Sequence, residues 1–345
     1  MGYKRFDELS FADLAVEGIL RHSRSYKMME KIDRVINWDN IEALLYEYYE
    51  VGKRKEGADA YPPLMLLKAL LLQKWFRIKS DPELENQIND RISFKRFLGL
   101  PLDRPSPDHS TFSRFRSRLG KWALMKINSE VLRQFGKRGF SIDEGIAVDA
   151  RLVRSASKPI SKDELEEERG KREGGGSGSK FSRDIDSDWT ITKDGEPHFG
   201  LKEHVAVDVD NGFVLATTIT KASEHESRYL PYMVLASCHT GNKIGRVYGD
   251  KGYSGRPNRE FLAANGIEDN IMRKNTTTAK LTEYEIKRNR KISKVRYIVE
   301  QYFGLTHLHD NAYRARFTDI LKNLWDSMCR MMAFNIMRGV KLLAV

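Results

Sequence analysis

A single acid interrupts an apolar run near the middle of the chain. Residues 146–153 read Ile-Ala-Val-Asp-Ala-Arg-Leu-Val, a stretch rich in β-branched residues that is typical of a strand buried on both faces. A carboxylate inside such a strand costs several kcal/mol unless a cation or a hydrogen-bonding partner compensates it. Asp149 therefore either binds a metal ion or bonds to a neighbouring loop at the strand end, and this stretch alone leaves both interpretations open.

Two further acids favour the metal interpretation. Residues 246–250 form a short apolar strand that ends in Asp250 and is followed by a glycine turn. Glu300 lies in residues 294–303, whose apolar positions recur at helical spacing. Two strand-borne aspartates and one helix-borne glutamate offer the oxygen ligands that a pair of hard divalent cations takes.

Five motifs in a fixed order make the chain resemble a known family. They are VDARLV around Asp149, HFGLK at 198–202, SEHES at 223–227, YGDKGY around Asp250, and Arg-x-x-x-Glu ending at Glu300. With these motifs the chain resembles bacterial insertion-sequence transposases of the insertion-sequence-five group, which have a DDE catalytic core. The resemblance covers the chain from about residue 30 to about residue 335.

The resemblance implies an α/β, RNase H-like catalytic core, a mixed sheet flanked by helices, preceded by an all-α N-terminal domain. Asp149, Asp250 and Glu300 would be both the catalytic residues and the ligands of two Mg²⁺ ions, for which Mn²⁺ substitutes. The implied activity is metal-dependent cleavage at the terminal inverted repeats of an insertion sequence and strand transfer into target DNA. A homodimer or higher oligomer is expected in the synaptic complex.

Two alternatives remain open at the level of sequence. One is an RNase H-like nuclease that only hydrolyses DNA. The other is a catalytically inactive, transposase-derived DNA-binding regulator. Ser293 and His307 stand where relatives tend to carry tyrosine and lysine. The serine is common within the group, so only His307 bears on the second alternative. The histidine leaves open which residue contacts the transposon-end phosphates there.

Charge indicates a polyanionic partner. The net charge is +11, and residues 91–140 carry twelve Lys and Arg against three acids, while residues 272–296 carry nine against two. A solvated basic face would explain either segment alone, but two of them beside an acidic site favour a long phosphodiester substrate. No run of 18 uncharged apolar residues occurs, so we expect no membrane partner and a cytoplasmic, nucleoid-associated protein of a bacterium or archaeon.

The patterning predicts three regions. Residues 1–30 form a weakly patterned arm, residues 31–140 a helical DNA-binding domain, and residues 141–345 the catalytic domain with a flexible insert at about 158–188. After the first strand, periodicity and turn signals predict strand, strand, helix, strand, helix, strand, helix. The predicted bounds are 199–209, 213–220, 227–238, 247–250, 258–264, 267–272, and the helix that carries Glu300.

A helix capped by Asp108 or Ser110 is predicted to present Arg114, Arg116 and Arg118, opposite an apolar face. Following two short helices and a turn, it is similar to the recognition helix of a helix-turn-helix. A helical bundle with a solvated basic face is the alternative.

Further candidates surround the predicted active site. Lys202, Lys251 and Arg296 are candidate DNA contacts, although Lys202 could be a solvated strand-end lysine and Lys251 could merely offset the acids. His198, His225 and His307 form a possible secondary site. For His225, local bonding at a helix start is an equal alternative.

Overall fold

The computed structural model describes residues 2–6, 16–53, 59–142, 144–173, 183–241, 243–277 and 279–343. The chain divides into two compact units, one of residues 1–135 and 332–345 and the other of residues 136–331. The sequence predicted a boundary near residue 140 but placed the C-terminal residues in the second domain. They group with the first unit because they pack there: the Trp75 indole donates to the carbonyl of Ala333 at 3.0 Å.

The first unit is helical. Its helices before the boundary are α1 Glu17–Leu20, α2 Arg24–Val35, α3 Trp38–Tyr48, α4 Pro63–Trp75, α5 Asp81–Asp90, α6 Ile92–Leu98 and α7 His109–Gly136. Helix α4 is buried along most of its length and forms the centre of the unit. Helix α2 begins inside the predicted arm, since Ser23 caps it and Met29 is buried, so part of residues 1–30 belongs to the core.

Helix α7 begins as predicted and bends once. The Asp108 carboxylate accepts a hydrogen bond from the Ser110 N–H at 2.6 Å, which caps the helix. Gly120, with φ 73°, interrupts the helical backbone, and a side chain at that position would disfavour this conformation. Two shorter helical segments therefore meet at this glycine.

The prediction that α7 presents three arginines to solvent is wrong for Arg116. Arg116 lies four residues after the buried Phe112, on the same face of the helix, and it forms a buried ion pair with Asp81. Arg114 and Arg118 are exposed. Arginines at every second position of a helix cannot all lie on one face, because each is rotated about the helix axis by about 200° from the one before it.

The second unit is built on one mixed sheet. Its strands are β1 Gly145–Arg154, β2 Asp188–Ile191, β3 Pro197–Asp208, β4 Val214–Lys221, β5 Arg246–Gly249 and β6 Glu268–Ile271. Strand β3 is antiparallel to β1, β2 and β4, while β1 is parallel to β5 and β5 to β6. The order β4-β3-β1-β5-β6 places β1 at the centre and confirms the predicted RNase H-like α/β fold.

From β3 onward the strands and helices follow one another in the predicted order, whereas β2 was not predicted. The helices are α8 Lys162–Glu173, α9 Leu230–Cys238, α10 Arg256–Ala264 and α11 Glu283–Asp310, with short 3₁₀ turns at Glu226–Tyr229 and Lys251–Tyr253. Helix α12, Ile320–Leu342, begins in this unit, and its residues from Met332 onward group with the first unit. Helix α11 packs on β1, β3 and β5. A capping box at Thr282 and Glu285 fixes its start. Across the residues given above, we find no helix with the length and apolar character needed to span a bilayer.

The insert is partly structured. Helix α8 lies within it, and the buried Asp184 accepts hydrogen bonds from Ser155 at 2.5 Å and from the Ser187 N–H at 2.9 Å. These contacts tie the described end of the insert to the end of β1. The glycine- and serine-rich stretch 174–179, for which the sequence predicts a flexible linker, lies outside the described residues.

A buried ionic network joins α11 to the sheet. Glu203 of β3 is fully buried and accepts from Arg151 Nε at 2.7 Å and from Arg330 Nη1 at 3.0 Å. Arg151 also donates to Thr306 at 2.9 Å, and Arg330 pairs with Asp310 at 2.6 Å. Burial would raise the pKa of Glu203, but the two guanidinium groups outweigh it and hold that pKa below its ordinary value. The network fixes the C-terminal half of α11 against β1 and β3.

Candidate active site

The two predicted aspartates lie side by side. In the parallel pairing of β1 and β5, Val148 is opposite Gly249, so Asp149 and Asp250 follow at the same edge of the sheet on neighbouring strands. Asp149 lies within β1, whereas Asp250 is the first residue after β5. The side chains of the two aspartates are equally exposed, at 18% each.

Asp149 is mostly buried and has a cationic partner. Its Oδ2 accepts from Arg296 Nη2 at 2.7 Å, and its Oδ1 accepts from the Ala150 N–H at 2.9 Å. Burial raises its pKa to about 6, opposed by Arg296 and reinforced by the negative charges of Asp250 and Glu226. Arg296 and the Ala150 N–H therefore do not fully offset the cost of burying the Asp149 charge. A carboxylate in this state favours binding a further cation.

Asp250 caps the 3₁₀ turn that follows it. Its Oδ1 accepts from the Gly252 N–H at 2.7 Å, and the exposed ammonium of Lys193 lies 3.8 Å from Oδ2. The turn keeps the carboxylate directed at the edge where Asp149 lies.

Helix α11 carries the third predicted residue, Glu300, and contacts this edge through Arg296. Arg296, whose contact with Asp149 anchors the helix, is followed one turn later by Glu300. Residues four apart share a helix face, so helix geometry leaves a place for Glu300 beside the aspartates as a prediction. Its side chain is exposed, while the preceding Val299 is buried against the sheet.

A fourth carboxylate, absent from the predicted set, borders the site. Glu226 begins the 3₁₀ turn after β4 and shares a cavity of about 490 Å³ with Asp250, Arg296 and the lysines Lys193, Lys251 and Lys274. The sequence signal existed, because Glu226 belongs to the SEHES motif. His225 was singled out there instead, since histidine is the more familiar signal of chemistry.

The predicted DNA contacts of this unit differ in their surroundings. Lys251 is exposed and borders the cavity. Lys202 donates to the carbonyl of Glu224 at 2.5 Å, and burial lowers its pKa. Arg296 is buried and bonded to Asp149 rather than presented to solvent. Of the three, Lys251 is the one with an exposed side chain.

The three histidines do not form one group. His225 Nδ1 accepts from the Ser227 N–H at 3.3 Å, so it caps its own turn, the local alternative considered above. His198 is half-buried with Nε2 3.3 Å from the carbonyl oxygen of Val153, and burial lowers its pKa. His307 packs against the Tyr313 ring at 4.7 Å. A joint secondary site of these residues is not supported by the contacts each one makes.

The donor set fits divalent cations. Asp149, Asp250 and Glu226 offer carboxylate oxygens, the donors that Mg²⁺ and Mn²⁺ prefer. In the described part of the chain, the acid and histidine group whose donor atoms all lie within 4.8 Å is Glu85, Asp108 and His109 of the first unit. The His109 ring and backbone both bond to Glu85 at 2.9 Å, which explains that group without an ion.

Comparison with known proteins gives consistent matches over both units. Residues 19–118 match the family described as "Transposase domain (DUF772)", and residues 141–320 match that described as "Transposase DDE domain". The transposase for insertion sequence element IS1106 of Neisseria meningitidis serogroup B is 34% identical over 238 residues, 68% of this chain and 79% of that protein.

One solved structure was also found by comparison of backbones. The crystal structure of a pre-cleavage Mos1 transpososome aligns with 81% of this chain and 97% of its own, at 10% identity and a TM-score of 0.20. At that TM-score the likeness carries no argument about fold or assembly.

Proposed function

Because this chain belongs to the family of DDE transposases, we propose that it binds the terminal inverted repeats of an insertion sequence, cleaves DNA there and transfers the freed strand to target DNA. The observation that carries the proposal is the edge of the sheet where Asp149 and Asp250 meet and where Arg296 anchors the helix that carries Glu300. The order of the five sequence motifs further supports assignment of the chain to the insertion-sequence-five group.

The family is divalent-metal dependent, and we propose Mg²⁺ as the physiological ion, with Mn²⁺ as a substitute. Asp149, Asp250 and Glu300 would hold two ions. Bound there, they would lower the pKa of a water molecule and stabilise the charge that develops on phosphate oxygens. Arg296 holds the Asp149 carboxylate in position, and the Gly252 N–H does the same for Asp250.

Two displacements at phosphorus make up the reaction. In the first, a water oxygen forms a bond to phosphorus, the bond from phosphorus to the 3′ oxygen breaks, and that oxygen leaves as a 3′-hydroxyl. In the second, this hydroxyl loses its proton and its oxygen bonds to a target phosphorus, displacing the target 3′ oxygen. Neither step passes through a covalent enzyme intermediate, so no serine or tyrosine nucleophile is required.

The first unit is proposed to bind the transposon ends. Arg114 and Arg118 of α7 are exposed, and the basic segment 91–140 contains both. Lys193, Lys251 and Lys274 line the acidic cavity of the second unit, and we propose that they contact the phosphates on either side of the cleaved bond. Because two ends must be joined in one event, we propose a homodimer or higher oligomer in the synaptic complex.

Strand-transfer assays test the proposal and separate its alternatives. Purified protein is incubated with Mg²⁺, a plasmid target and linear DNA carrying the imperfect inverted repeats that flank the gene. A transposase gives 3′-hydroxyl ends and joined products, and a nuclease gives cleavage without joining. Binding alone would identify a regulator. DNA with scrambled repeats and a reaction containing EDTA are the controls, and absence of joined product with intact repeats would refute the proposed function.

A further inference from the structure

Glu226 lies against Asp250 across a single glycine. A methyl group built on Gly252 would collide with Oε1 of Glu226 and would lie 2.9 Å from Oδ1 of Asp250. Both oxygens therefore lie within 3.0 Å of the same point. Glycine at this position is what allows the two carboxylates to approach each other.

The approach is built into the fold. Asn258 of α10 is buried and donates through Nδ2 to the carbonyl of Ser227 at 3.0 Å and to that of Tyr253 at 2.9 Å. This one amide joins the 3₁₀ turn that carries Glu226 to the turn that follows Asp250. A buried hydrogen-bonding residue therefore holds the two acids close together, although bringing their charges together costs free energy.

Glu226 is compensated only at longer range, by the charge of Lys202 and by the lysines that line the cavity. Among the described residues, Asp149 has Arg296 at 2.7 Å and Asp250 has Lys193 at 3.8 Å, whereas Glu226 has neither an ion pair nor a hydrogen bond to its carboxylate. A half-buried carboxylate without a partner is stabilised by a cation that also satisfies its neighbour.

A buried hydroxyl gives independent support. Tyr253 is fully buried, and within the described part of the chain its hydroxyl makes no hydrogen bond. Burial raises the pKa of Tyr253 well above the ordinary value, and the charges of Asp149, Glu226 and Asp250 add to this rise. An unpaired buried donor costs about 1–3 kcal/mol, and the oxygen of a water or phosphate held at a cation would satisfy it.

We infer that Glu226 is a metal-binding residue of this site, acting on the same divalent cations as Asp250 and in addition to the Asp149, Asp250 and Glu300 set. The inference rests on the proposed function, since it assigns a further ligand to the metals used there. It also gives the SEHES motif a chemical role: His225 caps the turn, and the turn directs Glu226 at the metal edge.

Metal binding measured without DNA tests the inference. Mn²⁺ is titrated into the full-length protein, and free Mn²⁺ is followed by electron paramagnetic resonance. We expect Glu226→Gln to weaken Mn²⁺ binding by about tenfold, the lower end of losses seen when groups that support a metal site are removed. Glu224→Gln is the matched control, because this nearby glutamate pairs with Arg228 at 3.6 Å and should bind Mn²⁺ like the unaltered protein.

Two further variants make the outcome decisive. Gly252→Ala should weaken binding as Glu226→Gln does, because the added methyl displaces the Glu226 carboxylate without removing an acid. Asp250→Asn tests the metal site itself. Loss of binding in Asp250→Asn with unaltered binding in Glu226→Gln would overturn the inference and leave the proposed function standing. Unaltered binding in Asp250→Asn would refute both. Circular dichroism confirms that each variant is folded.

Discussion

Replacing Glu203 with alanine should destabilise the second unit far more than an ordinary surface change. The substitution removes the carboxylate shared by Arg151 and Arg330, whose side chains are only 13% and 11% exposed. Arg330 keeps Asp310 at 2.6 Å and Asp326 at 2.9 Å, so most of the cost falls on Arg151. Arg151 retains Thr306 and a backbone carbonyl but no other carboxylate within ion-pair distance among the described residues.

Removing one partner of a buried ion pair costs about 3–5 kcal/mol. For a unit of this size that corresponds to a fall in Tm of roughly 6–20 °C. The control is Glu268→Ala, which removes an exposed partner of Arg246 at 3.2 Å and should cost less than about 1 kcal/mol. Urea and thermal denaturation followed by circular dichroism measure both. Equal losses in the two variants would show that the Glu203 network does not anchor α11.

Further changes test other parts of the account. The arginines depress the pKa of Glu203, so the stability that this carboxylate contributes is present above its unfolded pKa of about 4.3 and is lost as pH falls below that value. In denaturation curves at acid pH, the difference in unfolding free energy between the unaltered protein and Glu203→Ala should therefore narrow. Burial raises the pKa of Asp149 to about 6, so protons compete with a cation for this carboxylate. Mn²⁺ affinity measured by titration should therefore decrease as pH falls through about 6. A constant affinity would contradict the role of Asp149 as a metal ligand. Replacing Arg114 and Arg118 with alanine should reduce the slope of log affinity against log salt concentration by roughly 0.9 for each lost phosphate contact. Arg116→Ala should instead lower the free energy of unfolding by about 3 kcal/mol, because it breaks the buried pair with Asp81. An unchanged slope in the double variant would exclude α7 from the DNA interface. Gly200→Ala should strongly destabilise the sheet, because the added methyl group would overlap the backbone carbonyl of Val153. Gly170→Ala is the control and should not destabilise the protein, because a methyl group there meets open space on α8. Thermal unfolding of both variants measures the difference.

Patterns local to one element allowed most of the fold to be predicted. The succession of strands along the chain, apart from β2, follows from periodicity and the Asp210–Gly212 turn signal, because apolar alternation reports directly on burial. The adjacency of Asp149 and Asp250 was likewise predictable, since strands of one parallel pair end at one edge. Arg116 was misplaced because a charged residue on the buried stripe can be recognised only when its partner, Asp81, is known, and that partner lies 35 residues away.

Glu226 was not predicted for a similar reason. Its proximity to Asp250 depends on Gly252 and on the Asn258 bridge, and neither contact has a local signature. The same limit applies to the C-terminal residues, whose packing with the first unit depends on contacts between residues more than 200 positions apart.

The central claim is that the acids at the sheet edge perform the chemistry while other surfaces bind the DNA. Asp250→Asn tests it most directly, because an asparagine oxygen can still cap the Gly252 N–H and preserve the turn while the charge that holds a metal ion is lost. Gel shifts and cleavage reactions are run on one terminal-repeat DNA in Mg²⁺. The account predicts end binding close to that of the unaltered protein, with cleavage and strand transfer both abolished. An Asp250→Asn protein that still cuts DNA in Mg²⁺ would contradict it.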